Sequence, residues 1–147
     1  MGLLAAMGSG IVGACALTAI HETARKTIPN APRMDVLGKR AFAHTLRWAG
    51  AEPASDKLLH DMALTGDVLS NSVYYSLVAV GGRRGSVVCG AALGLAAGVG
   101  AVALPERMGL GSSPSARTAE TKAMTVAWYL AGGLAAGMTY RLLTRKR

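Results

Sequence analysis

Charge is missing from this chain over long distances. Residues 1–20, 85–105 and 123–140 contain no Asp, Glu, Lys or Arg. A fourth stretch, residues 59–80, is apolar apart from a few polar groups, among them Asp61 and Asp67. Charged residues make up 16% of the 147, against about 25% in an ordinary soluble protein. A soluble helical bundle needs polar residues at every third or fourth position along each helix. The first, third and fourth apolar stretches lack them.

Other absences narrow the chemistry. Aromatic residues make up 5%, with a single Phe, and none interleaves with basic residues as a nucleic-acid face requires. Two cysteines, Cys15 and Cys89, both in apolar stretches, supply neither a disulfide framework nor a thiolate metal site. His21, His44 and His60 are metal-ligand types, but their spacing matches no zinc or carboxylate-bridged site. Neither a metal nor a cofactor is expected. No Gly-rich phosphate loop or nucleophile elbow is present.

Each apolar stretch is close to the ~20 residues that a helix needs to cross a ~30 Å hydrocarbon core. The expected fold is therefore an all-α integral membrane bundle in a single domain. Four transmembrane helices are placed at about residues 2–20, 59–80, 86–104 and 124–143. The lipid bilayer is the first expected partner. The net charge of +8 does not indicate nucleic acid, because the basic residues flank the apolar runs: Arg25 and Lys26, Arg83 and Arg84, then Arg141, Arg145, Lys146 and Arg147. Such positions face lipid headgroups. Counting Lys and Arg across four spans gives ten on one side and six on the other, which puts both termini outside the cytoplasm. Abundant Ala, Gly and Arg suit a bacterial cytoplasmic membrane.

Between the first two spans, Pro29 and Pro32 stop the first helix, since proline lacks an amide donor and turns its predecessor away from helix. Residues 36–49 then read as an amphipathic helix, with Asp35 as its cap. Leu37, Ala41, Phe42, Leu46 and Trp48 share one side; Lys39, Arg40, His44 and Arg47 share the other. That pattern suits a helix lying in the headgroup layer or packed on the end of the bundle. A break at residues 49–53 follows, then Ser55 as N-cap. Residues 81–86 form a short turn that folds the second and third spans into an antiparallel pair. Pro105 ends the third span, and Ser113-Pro114 begins a new helix. Trp128, Tyr129 and Tyr140 are placed to anchor the fourth span at the interfaces.

Three groups of residues carry functional meaning. Gly90, Gly94 and Gly98 in the third span, and Gly133 and Gly137 in the fourth, recur every fourth position. They form smooth grooves where helix backbones approach closely, either within the chain or between copies. In the second span, His60, Asp67, Asn71 and Tyr74 fall along one stripe at helical spacing. A carboxylate in lipid costs at least ~2.5 kcal/mol, so Asp67 must face the interior or a wet cavity. It serves either a relay or polar pocket, or an interhelical clamp closed by a neighbouring helix, by Arg83 or by Arg84. The third group is interfacial: His21, Glu22, Arg25, Arg33 and Asp35, a salt-bridge knot or a site for a headgroup or partner loop. The leading expectation is a structural or assembly subunit working as a homo-oligomer or within a larger membrane complex. A small-solute or ion transporter using the polar stripe, and a lipid-modifying membrane enzyme using His21, Glu22 or Asp35, are the alternatives.

Overall fold

A computed structural model describes residues 2–52 and 55–145. Pro53, in the expected break, and the basic pair Lys146 and Arg147 lie outside the described residues. Among the described residues the chain is all helical. It comprises α1 (Gly2–Thr27), α2 (Met34–Trp48), α3 (Asp56–Ser76), a 3-10 segment (Leu77–Gly81), α4 (Gly82–Arg107), α5 (Ser113–Ala116) and α6 (Ala119–Leu143).

Two helical stretches, Gly2–Thr27 and Asp56–Arg107, are long and apolar enough to cross a membrane. The second contains the reversal from α3 to α4. Only 17% of its most apolar window is buried, whereas the core helix of a soluble protein would be mostly buried. Many large apolar side chains point outward: Leu69, Val73, Val80, Val88 and Val99 are exposed, although Leu17 and Val78 are fully buried. Small or hydrogen-bonding residues fill the inside, among them Ala14, Ser9, Ser86, Thr125 and Tyr75. This is the reverse of the usual sorting in water.

Glycine sets the helix packing. Gly90, Gly94 and Gly98 of α4 face α6, where Gly133 and Gly137 stand opposite. A Cβ on Gly133 would overlap the carbonyl oxygen of Gly90, and one on Gly94 would lie 2.6 Å from that of Tyr129. These grooves are therefore filled within the chain. The next contact repeats the device. A Cβ on Gly13 of α1 would come 2.7 Å from Ala136 of α6, and one on Gly10 would overlap the Ser72 carbonyl of α3. The helices thus pack in the order α3, α1, α6, α4, and α3 barely touches α4. The short turn expected between the second and third spans is present, but the helices it joins make little direct contact. The reversal itself is sharp, with Gly82 at φ +57°, a value that favours glycine. Beyond it α4 turns its glycine face to α6, and the two helices diverge. The hydroxyl of Tyr74 bridges the gap by donating to the carbonyl of Leu93 at 2.9 Å.

Local details also differ from expectation. Proline in the last turns of a helix forfeits one hydrogen bond without breaking it, so α4 runs past Pro105 to Arg107. Asp35 lies in the first turn of α2, and the capping position is held by Arg33 without a side-chain bond. Ser55 does cap α3, accepting from the Leu58 amide at 3.4 Å. Ser113-Pro114 starts only the short α5, and α6 begins afresh with Thr118 as its cap. Tyr129 and Tyr140 are buried rather than placed at an interface, because both belong to the apolar cluster with Leu17, Tyr75 and Val78 inside the bundle. Trp48 of α2 is 87% exposed; that helix packs on α3, with Gly38 against Ala63, and leaves its indole outside.

Gly133→Ala should destabilise the detergent-solubilised protein by ~1–3 kcal/mol, the usual cost of overpacking. Gly66→Ala, where a Cβ meets nothing within 4 Å, should be neutral or up to ~1 kcal/mol stabilising on helix propensity. Thermal unfolding followed by circular dichroism distinguishes the two.

Candidate functional site

The interfacial cluster and the polar stripe are separated in sequence by more than the length of α2. Folding brings them together, because α1 and α3 run side by side at the end of the bundle that α2 covers. One pocket there is lined by His21, Glu22 and Arg25 from α1, Asp35 from α2, and His60 and Asp67 from α3. Thr18, Met34, Ala63 and Leu64 complete its wall. Its cavity volume is about 30 Å³, room for one or two water-sized groups.

Ion pairs organise the outer part. Arg25 Nη2 lies 2.6 Å from Glu22 Oε2, and its Nη1 lies 3.9 Å from Asp35 Oδ2. Arg33 reaches Asp35 with two parallel bonds, Nε to Oδ1 at 3.0 Å and Nη2 to Oδ2 at 2.9 Å. The paired fork fixes geometry as well as charge. Arg33 itself is half-exposed and stands outside the pocket lining. Burial pushes the Asp35 carboxyl up, but the hydrogen bonds and charge of Arg33, helped by the Val36 amide and Arg25, outweigh it. The carboxyl is held below its ordinary value.

The inner part carries fewer charges. Asp67 accepts from Asn71 Nδ2 at 3.0 Å and from the Thr18 hydroxyl of α1 at 3.5 Å. Among the described residues no cation comes within ion-pair distance of Asp67. Arg83 and Arg84 stand at the opposite end of α3, so neither closes the expected clamp. Thr18 does so instead, with a long, neutral bond. His21 is buried against the rings of Trp128 and Tyr129, at centroid distances of 5.3 and 5.7 Å. Its Nε2 is buried without a hydrogen-bond partner, as is Arg25 Nε. Such orphaned atoms are costly to bury. Among the described residues, no three His, Cys, Asp or Glu side chains are grouped so as to hold a metal ion.

The polar stripe divides. His60 and Asp67 face the pocket, whereas Asn71 and Tyr74 line a second cavity of about 610 Å³ between α3 and α4. Leu37 of α2, Ala97 and Leu104 of α4 and Tyr129 of α6 contribute to that groove, and Met34 lines both cavities. Thr18 and Met34 were not singled out in the sequence, and Trp128 was read there only as an interface anchor. Thr18 lies one turn before His21 on the same face of α1, which is the signal that could have found it. Trp128 reaches His21 through the α1–α6 contact, and no local pattern announces that. Comparison with family models, curated proteins and solved structures finds no match.

The depressed Asp35 carboxyl stabilises the folded chain above the unfolded carboxylate value. That contribution is lost as pH falls through the lower folded value. Asp35→Asn should therefore unfold at a lower temperature than the parent at pH 7. The gap between the two should close as pH drops below about 4, measured by thermal unfolding in detergent.

Proposed function

We propose that this chain is a four-span membrane bundle, formed by α1, α3, α4 and α6, with one wet site at the end covered by α2. In that site a polar head is bound or handed a proton while its apolar part remains in the bilayer. The reading is thus a lipid-binding or lipid-modifying protein. The observation that carries it is the union of His21, Glu22, Asp35, His60 and Asp67, two clusters distant in sequence, around one cavity with an apolar groove beside it. The outward Leu and Val side chains support the bilayer as partner. The abundance of Ala, Gly and Arg supports a bacterial cytoplasmic membrane.

A conduit has less support. The polar groups lining the pocket reach no deeper than Asp67, whose partner Asn71 faces the groove instead. One turn beyond, Tyr75 is fully buried, and its hydroxyl is spent on the Tyr129 carbonyl at 2.8 Å. A structural role in a homo-oligomer or larger complex also loses support, because the glycine faces that would have met a partner meet each other.

The test exploits a reversal. Glu22, at the pocket rim, has a side chain 29% exposed, and Leu69, on the outer face of α3, is 62% exposed. With Cys15 and Cys89 replaced by Ala, a membrane-impermeant thiosulfonate should label Glu22→Cys in sealed vesicles from one face only. Leu69→Cys should stay unlabelled from either face, because lipid covers it. Labelling of Leu69→Cys, or of Glu22→Cys from both faces or from neither, would contradict the proposal.

A further inference from the structure

We infer that the pocket takes a primary ammonium group, and that the hydrocarbon chain attached to it lies in the groove between α3 and α4. The inference rests on the wet-site reading above and names the class of molecule that the site admits: a single-chain or lipid amine.

Charge comes first. Glu22, Asp35 and Asp67 line the pocket, and Arg25 is the one guanidinium among its lining residues. Arg25 is engaged by Glu22 and Asp35, and Arg33 outside is engaged by Asp35. Asp67 is left with two neutral donors, Asn71 and Thr18. A carboxylate in such a place favours a cation beside it. An anionic head would find both guanidinium groups already paired and a free carboxylate opposing it.

Hydrogen bonding and size point the same way. His21 lines the pocket, and its imidazole can accept an N–H when it carries no proton. An ammonium group brings three donors, and one carboxylate and one imidazole use two of them. The cavity of about 30 Å³ accepts a group the size of one or two waters. A primary ammonium matches that; a phosphate or a trimethylammonium exceeds it, and the latter has no N–H to donate.

The groove supplies the other half of the molecule. At about 610 Å³ it falls within the range of small-molecule sites, roughly 300–1,000 Å³. It adjoins the pocket at two places. Met34 lines both cavities, and the Asn71 side chain that walls the groove donates directly to Asp67. A chain leaving an ammonium at Asp67 therefore enters the groove over Asn71.

The protein carries its own reporter, since Trp128 packs on His21 and the only other tryptophan is Trp48, far out on α2. In full-length Trp48→Phe protein in detergent micelles, Trp128 emission should respond saturably to dodecylamine. Half-saturation should come at a concentration at least tenfold lower than for dodecyltrimethylammonium or dodecanoate. Asp67→Asn should bring the three probes within about twofold of one another. Ala97→Phe, which fills the groove and leaves the pocket intact, should weaken dodecylamine at least tenfold. Equal responses to the three probes in the parent protein, or a preference for dodecanoate, would overturn the inference. So would an Ala97→Phe protein that binds dodecylamine unchanged. One-sided labelling of Glu22→Cys together with equal probe responses would remove the amine and leave the wet site standing; two-sided labelling would remove both.

Discussion

Backbone-to-backbone contact through glycine is the constraint on which the rest of this structure depends. Gly90 and Gly133 bring α4 and α6 to a separation at which no side chain fits between them. Gly13 seats α1 on α6, and Gly10 seats α3 on α1 by the same means. Association of this kind works by close packing and needs no expulsion of water. It also frees the large apolar side chains to face outward, where Leu69, Val73 and Val99 are found.

The same chain of contacts determines where polar groups can sit. With α1 drawn close to α3, His21 and Asp67 line one cavity, and Thr18 bridges the two helices. Because α4 is committed to α6, α3 has no partner along its other flank, and the groove beside Asn71 and Tyr74 stays open. A polar pocket and an apolar groove thus follow from one packing arrangement, and they meet at the Asp67–Asn71 pair.

Much of this was legible in the sequence, and for identifiable reasons. Uncharged runs mark where helices run, and Pro29 and Pro32 mark where α1 stops, because both act locally; Pro105, inside α4, does not stop its helix. The stripe through His60, Asp67, Asn71 and Tyr74 follows from helical spacing alone. Its division between two cavities does not, since that depends on α4 turning away from α3. The glycine spacing announces close packing but not the identity of the partner helix. Tyr129 and Tyr140 read as interface anchors because aromatic residues near span ends often are. They are buried here in the cluster with Leu17, Tyr75 and Val78, which is a tertiary fact. The union of the interfacial cluster with the polar stripe is the largest gain from the structure, because nothing in either segment names the other.

The claim that glycine packing assembles the site has one direct measurement. In a Thr18→Cys/Asp67→Cys protein lacking Cys15 and Cys89, a short bifunctional methanethiosulfonate should join the two positions within a single chain. Adding Gly10→Val, which forces α1 and α3 apart two turns away, should slow that reaction at least tenfold without abolishing helical circular dichroism. Cross-linking only between chains, or at a rate indifferent to Gly10, would contradict the account.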